Sequence, residues 1–262
     1  MRKYYSYIKI GIKDQFAHKG DILISLFGLS IAFSLWAMLW ASLSNYSNIN
    51  NEVQLNNMIT YTAIVHLLLL MQINNMKIRW EFTERVKSGE IIMEFLHPIN
   101  LGMRFMCERM GYILPIFVII FLPVSIFLIY YNTLKISLFS FFIFIIGVLI
   151  SFIIGFLINF LFCLLMLKFV EAGGAWSILD SIIFLFGGLM VPVWIYPDSL
   201  QQIVYILPFQ YIYYVPVNLL INYNTMSIEK TLLVGSIWII ILTFLIHILW
   251  NNLRKNMVIQ GG

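Results

Sequence analysis

Six apolar runs without a charged residue divide this chain, at residues 22–51, 53–76, 110–134, 136–167, 181–197 and 231–253. At about 1.5 Å per helical residue each can cross about 30 Å of hydrocarbon, except the fifth, which must borrow flanking residues. The second and third runs are separated by the one substantial polar stretch, 77–109. It carries Lys77, Arg79, Arg85, Lys87, Arg104 and Arg109 against Glu81, Glu84, Glu90, Glu94 and Glu108. Its pattern predicts a short helix, a break at Ser88-Gly89, a second short helix over 90–96 and a turn at His97-Pro98. Such a stretch is a folded elbow rather than a floppy linker.

Before the first run, Tyr5, Ile8, Ile12 and Phe16 share one helical face with Arg2, Lys9 and Lys13 beside it. This predicts an interfacial helix over 1–20, either a surface anchor or a helix that also meets a cytoplasmic partner. No cleavable signal pattern precedes the first run, so that span is expected to stay. The connection at 45–57 reads as a solvated loop. The fourth run, wholly helical, would measure about 48 Å and should tilt or protrude. Along it Gly147, Ser151, Gly155, Asn159 and Cys163 recur every four residues. That ridge of small residues lets another helix approach closely, within the subunit or at a subunit interface.

The fifth run is unlike the others. Gly187-Gly188, Pro192, Pro197, Pro208 and Pro216 interrupt it and the stretch after it, yet 199–228 is free of charge and too apolar for an ordinary loop. The fifth span is expected to end near Tyr196, with one or two short helices dipping back across 192–222. Broken backbone at membrane depth is tolerated only when buried in protein or lining a cavity.

Composition agrees with the pattern. The chain is 61% hydrophobic and 11% charged, with a mean hydropathy of +0.90, whereas a soluble domain has about a quarter of its residues charged. The fold class is therefore an all-α polytopic membrane protein with six transmembrane helices. Threaded from a cytoplasmic N-terminus, 14 of the 16 lysines and arginines fall on the inner side and only Lys135 and Lys230 on the outer. Both termini are then cytoplasmic, in a bacterial plasma membrane. The net charge of +4 is accounted for by topology and anionic membrane lipids, not by nucleic acid. Cys107 and Cys163 suit neither a disulfide framework nor a metal site.

Chemistry is sparse. His66 and His247 lie within apolar runs, His18 and His97 near the inner surface, and Asp180 near the inner end of the fifth span. Lone histidines in spans are read as packing residues, and Asp180 as a boundary acid or part of a substrate path. No His-Glu-x-x-His, paired intramembrane carboxylates or credible Ser/His/Asp set occurs, so no catalytic or metal-binding residue is assigned. There is also no Gly-x-x-x-x-Gly-Lys-Ser/Thr loop, so any ATPase must be another chain.

The elbow reads Glu84-Arg85-Val86-Lys87-Ser88-Gly89-Glu90-Ile91, then Leu96-His97-Pro98-Ile99. The later segment reads Phe186-Gly187-Gly188-Leu189-Met190-Val191-Pro192, then Tyr196-Pro197-Asp198-Ser199-Leu200 and Leu207-Pro208-Phe209. Taken in order over essentially the whole chain, these resemble the permease subunits of type 2 ABC exporters. The resemblance implies a single transmembrane permease domain, 1–262, pairing with a second permease, identical or paralogous, above two ABC ATPase subunits that bind ATP and Mg²⁺. It implies that 77–109 is the coupling loop, with Glu84, Arg85, Gly89 and Glu90 as the ATPase-contact residues. It also implies a substrate path beside the second and fifth spans, for which Thr62, His66, Phe184 and Met190 are the candidates, and the export of an amphipathic or hydrophobic substrate. An ion-coupled transporter, an intramembrane lipid-modifying enzyme and a non-transporting membrane subunit are the rival readings.

Overall fold

The computed structural model describes residues 2–46, 52–91, 100–124, 138–167, 173–221 and 227–260. The 92–99 part of the elbow, with Glu94, His97 and Pro98, lies outside them, as do residues 47–51 of the first loop, Lys135 and Lys168. The described residues are helical, with no strand among them. In chain order the helices are α1 (Arg2–Ala17), α2 (Lys19–Tyr46), α3 (Glu52–Lys87), α4 (Leu101–Ile116), α5 (Leu138–Met166), α6 (Gly173–Phe186), α7 (Asp198–Ile206), α8 (Tyr214–Ile221) and α9 (Ile228–Gln260). Among the described residues, five segments are long and apolar enough to cross a membrane: Gly20–Leu43, Asn56–Lys87, Leu101–Val124, Phe139–Met166 and Ile228–Arg254.

Two span ends differ from the charge-based expectation. No Gly or Pro occurs between Glu52 and Ser88, so α3 runs unbroken through the second apolar segment and on to Lys87. Its 36 residues make a rod of about 54 Å, and the elbow's first part is its last turns, not a separate short helix. Likewise α4 starts at Leu101 rather than Met110. Asn100 caps it, its side-chain oxygen accepting from Met103 N at 3.2 Å. Arg104, Glu108 and Arg109 therefore sit inside a helix. Pro115 has no N–H for the Gly111 carbonyl, and a π-helical turn follows at Phe117–Phe121.

The fifth apolar helix also moves. It ends at Phe186, not near Tyr196, and its 14 residues span only about 21 Å. The stop is glycine-made: Gly187 N bonds to Ile183 O at 2.8 Å, and Gly188 takes a left-handed φ of 77°. A Cβ at Gly188 would lie 2.8 Å from Tyr61 Oη and 2.9 Å from Tyr214 Cβ. Gly188→Ala should therefore cost about 1–3 kcal/mol, read as a lowered Tm in detergent; an unchanged Tm would contradict this account of the turn.

Beyond the turn, 3₁₀ turns at Val193–Ile195 and Pro208–Tyr211 alternate with α7 and α8. Every residue of α8 from Tyr214 to Leu220 is buried, packed against α5 and α3. Tyr61 Oη donates to Gly188 O at 2.5 Å and Tyr214 N to Gly187 O at 3.0 Å. These bonds satisfy polar groups of the broken backbone where no water is assured.

Helix α1 has three faces. Gly11 and Gln15 are buried with Ile8 beside them, and this strip docks on α4. Gly11 faces Gly111 so closely that a Cβ on Gly11 would lie 3.0 Å from the Gly111 Cα. The apolar face expected from the sequence is a neighbouring one: Tyr5 and Phe16 stay exposed, as does Lys9 on the polar side.

Candidate functional site

On α3, Gln72, Asn75 and Arg79 recur at helical spacings of three and four residues and so share one face. Opposite them, α5 presents the small-residue ridge. Gln72 Nε2 donates to Ser151 O at 3.1 Å and Ser151 Oγ at 3.0 Å, and Ser151 Oγ donates to Ile212 O at 2.6 Å. Asn75 Nδ2 donates to Gln72 Oε1 at 2.8 Å. A Cβ on Gly155 would strike the Gln72 amide, and one on Gly147 would lie 3.2 Å from Pro216 Cα. Gly147, Ser151 and Gly155 thus face α3 and α8 of the same chain.

The seam ends in a charge pair. Arg79, 5% exposed, donates through Nε to Asn159 Oδ1 and through Nη1 to Asp180 Oδ1, each at 2.6 Å, and lies over the Trp176 ring. Asp180 is 48% exposed on α6. Arg79 Nη2 and the Tyr213 hydroxyl are buried without a hydrogen-bond partner among the described residues. A buried guanidinium with donor capacity in reserve can exchange partners when its neighbours move.

A second polar line leaves the other side of α3. Glu81 pairs with the fully buried Arg109 of α4, which also donates to Asn74 O at 3.3 Å and lies over the Tyr112 ring. Tyr112 in turn donates to Asp14 of α1. Arg79 and Arg109 are thus helix-to-helix links rather than solvent-facing charges. The end of α3 is joined through one line to α5 and α6 and through the other to α4 and α1.

That same helix carries Glu84 and Arg85 and ends just before Gly89 and Glu90. Ser88 N bonds to Glu84 O at 2.8 Å, and Gly89 turns the chain at φ 76° with open space around it, so backbone freedom alone calls for glycine there. Glu84 and Glu90 are exposed. Arg85 instead lies over the Phe105 ring, 5.1 Å from its centroid.

The four path candidates are not brought together. Thr62 is buried, accepting from Trp40 Nε1 at 3.1 Å, and His66 Nδ1 donates to Thr62 O at 2.7 Å, its ring edge-on to that of Phe33. Both are enclosed between α2 and α3. Phe184 and Met190 are 38% and 40% exposed, on α6 and the turn after it. Sequence reasoning missed Arg79, Asn159 and Arg109 as linking residues and read Asp180 as a boundary acid or part of a substrate path, not as the partner of Arg79. The unbroken stretch from Glu52 to Ser88, with polar residues every three or four positions, was the available signal.

The described residues thus combine five helices able to cross a membrane, one of them an unbroken 36-residue rod, with a broken segment before the last helix. The chain matches the family described as ABC-2 family transporter protein over residues 23–261 and belongs to it. It is a membrane component of that transport family, which works with ABC ATPase partners. No curated protein matches the chain.

Proposed function

We propose that this chain is the permease half of an ATP-driven exporter that moves an amphipathic or hydrophobic substrate, peptide, antibiotic or lipid-like, by alternating access. The observation that carries the reading is α3: one rigid helix, 36 residues long, reaches from the membrane to the Ser88-Gly89 turn and holds α6 through Arg79–Asp180. A push on the elbow is then delivered to the fifth apolar helix without a flexible joint between.

In this reading α6 lies in the fifth of six spans, α9 is the sixth, and 192–222 re-enters the membrane from the outer side. The chain is one permease domain in the bacterial plasma membrane with both termini cytoplasmic. Two ATPase subunits, holding ATP and Mg²⁺, dock beneath on Glu84 and Glu90, with Gly89 shaping the turn. A second permease, identical or paralogous, faces α6, whose Ile178, Phe184 and Leu185 are exposed. The substrate passes along that face, with Phe184 and Met190 as the adaptable apolar contacts.

The test is Glu84→Lys with Glu90→Lys. Salt-dependent contacts of exposed carboxylates with a soluble subunit should be lost, lowering export at least tenfold while the protein still inserts and keeps its Tm. Unchanged export would remove the coupling assignment.

A further inference from the structure

Between α9 and the segment from Trp194 to Asn218 lies a groove of about 910 Å³, within the range of small-molecule sites. Its mouth is polar, with Ser227, Lys230 and Thr231, and its floor is aromatic, with Trp194, Tyr211 and Trp238. Down α9 it continues over Val234, Ile237 and Ile241, with Ile237 half exposed. From Lys230 to Ile241 is about 16 Å of helix rise, against about 15 Å for half the hydrocarbon core. The groove is thus as deep as one leaflet. Lys230 makes no salt bridge among the described residues and is the one basic side chain of theirs at this end of the bundle.

We propose that this groove binds one acyl chain of a phospholipid whose anionic headgroup is held at Lys230. A cation at the level of the headgroups above a mainly apolar slot of leaflet depth favours an anionic headgroup over a zwitterionic one, whose own ammonium it repels. Trp194 and Trp238 supply flat apolar walls with a polar edge, and Trp238 Nε1 already donates to Ile206 O at 3.1 Å. On the proposed topology this is an outer-leaflet lipid, seated where the broken segment meets the last span.

The two tryptophans report on the site. The full-length chain, in phosphatidylcholine nanodiscs, is titrated with phosphatidylglycerol or phosphatidylcholine brominated on the acyl chains, and quenching of the fluorescence lost in Trp238→Phe is followed. The brominated phosphatidylglycerol should half-quench that component at about fivefold lower mole fraction than the phosphatidylcholine, and Lys230→Gln should remove the difference. Val234→Phe, which narrows the slot, should weaken quenching by the anionic lipid. Equal quenching by both lipids, or a preference that survives Lys230→Gln, overturns the proposal. So does protection from both, which would mean that protein, such as a second copy of the chain, covers the groove. Neither export nor ATP enters the readout, so the transporter reading stands or falls separately.

Discussion

Asp180→Leu is expected to destabilise the protein more than Arg79→Met, although the two substitutions break the same ion pair. The reason is what each leaves behind. Without Asp180, a guanidinium 5% exposed keeps its charge with only the neutral Asn159 amide and the Trp176 ring beside it; without Arg79, a carboxylate 48% exposed can be hydrated. Breaking a fully buried pair costs about 3–5 kcal/mol, and the half-exposed partner brings the expected loss for Asp180→Leu to about 2 kcal/mol. The double variant, with both charges gone, should recover most of that stability. It should not recover export, because the link from α3 to α6 is absent. Thermal unfolding and export measured on all four proteins give the cycle. An equal or larger loss in Arg79→Met would contradict the burial argument, and full export in the double variant would contradict the role of the link.

The Gly11–Gly111 crossing supplies the second large effect. An exposed Gly→Ala change inside a helix normally stabilises it by roughly 1 kcal/mol. At Gly11 the opposite sign is expected, because the new Cβ meets backbone: the Glu108 carbonyl and, at 3.0 Å, the Gly111 Cα. Backbone cannot rotate aside, so α1 must separate from α4, at a cost of about 1–3 kcal/mol. The Asp14–Tyr112 hydrogen bond would loosen with it. Amide hydrogen exchange across residues 2–17 should quicken in Gly11→Ala. Gly28→Ala on α2, where nothing lies within 4 Å of the added carbon, should leave exchange unchanged and supply the control. Unaltered exchange in both variants would mean that α1 is held by the membrane surface alone.

Some of this was legible from the chain and some was not. α2, α5 and α9 track their apolar runs because lipid contact imposes a composition that the sequence displays directly. The ends of α3 and α4 lie beyond the charge-free runs because a charge does not always mark water. Arg79, Glu81 and Arg109 are charged yet paired across helices, with Arg79 and Asp180 101 residues apart in the chain. Local pattern cannot report such a partner. Breakers were the better guide, since α3 ends where the first glycine after Glu52 stands and α6 ends at Gly187-Gly188. Thr62 and His66 illustrate a different limit. A polar residue on an apolar helix needs a partner, and the sequence does not distinguish a substrate from a neighbouring tryptophan or the helix's own carbonyl.

The central claim is that the energy for transport enters through a separate ATPase docked on the end of α3. The most direct measurement purifies the complex from its native host in mild detergent, reconstitutes it in vesicles, and follows ATP hydrolysis and export together, with and without an imposed ion gradient. The account predicts a stoichiometric ATP-binding subunit, export that requires ATP and ignores the gradient, and hydrolysis that no longer drives export once Glu84 and Glu90 are reversed. Export that persists without ATP and disappears when the ion gradient is collapsed would contradict it.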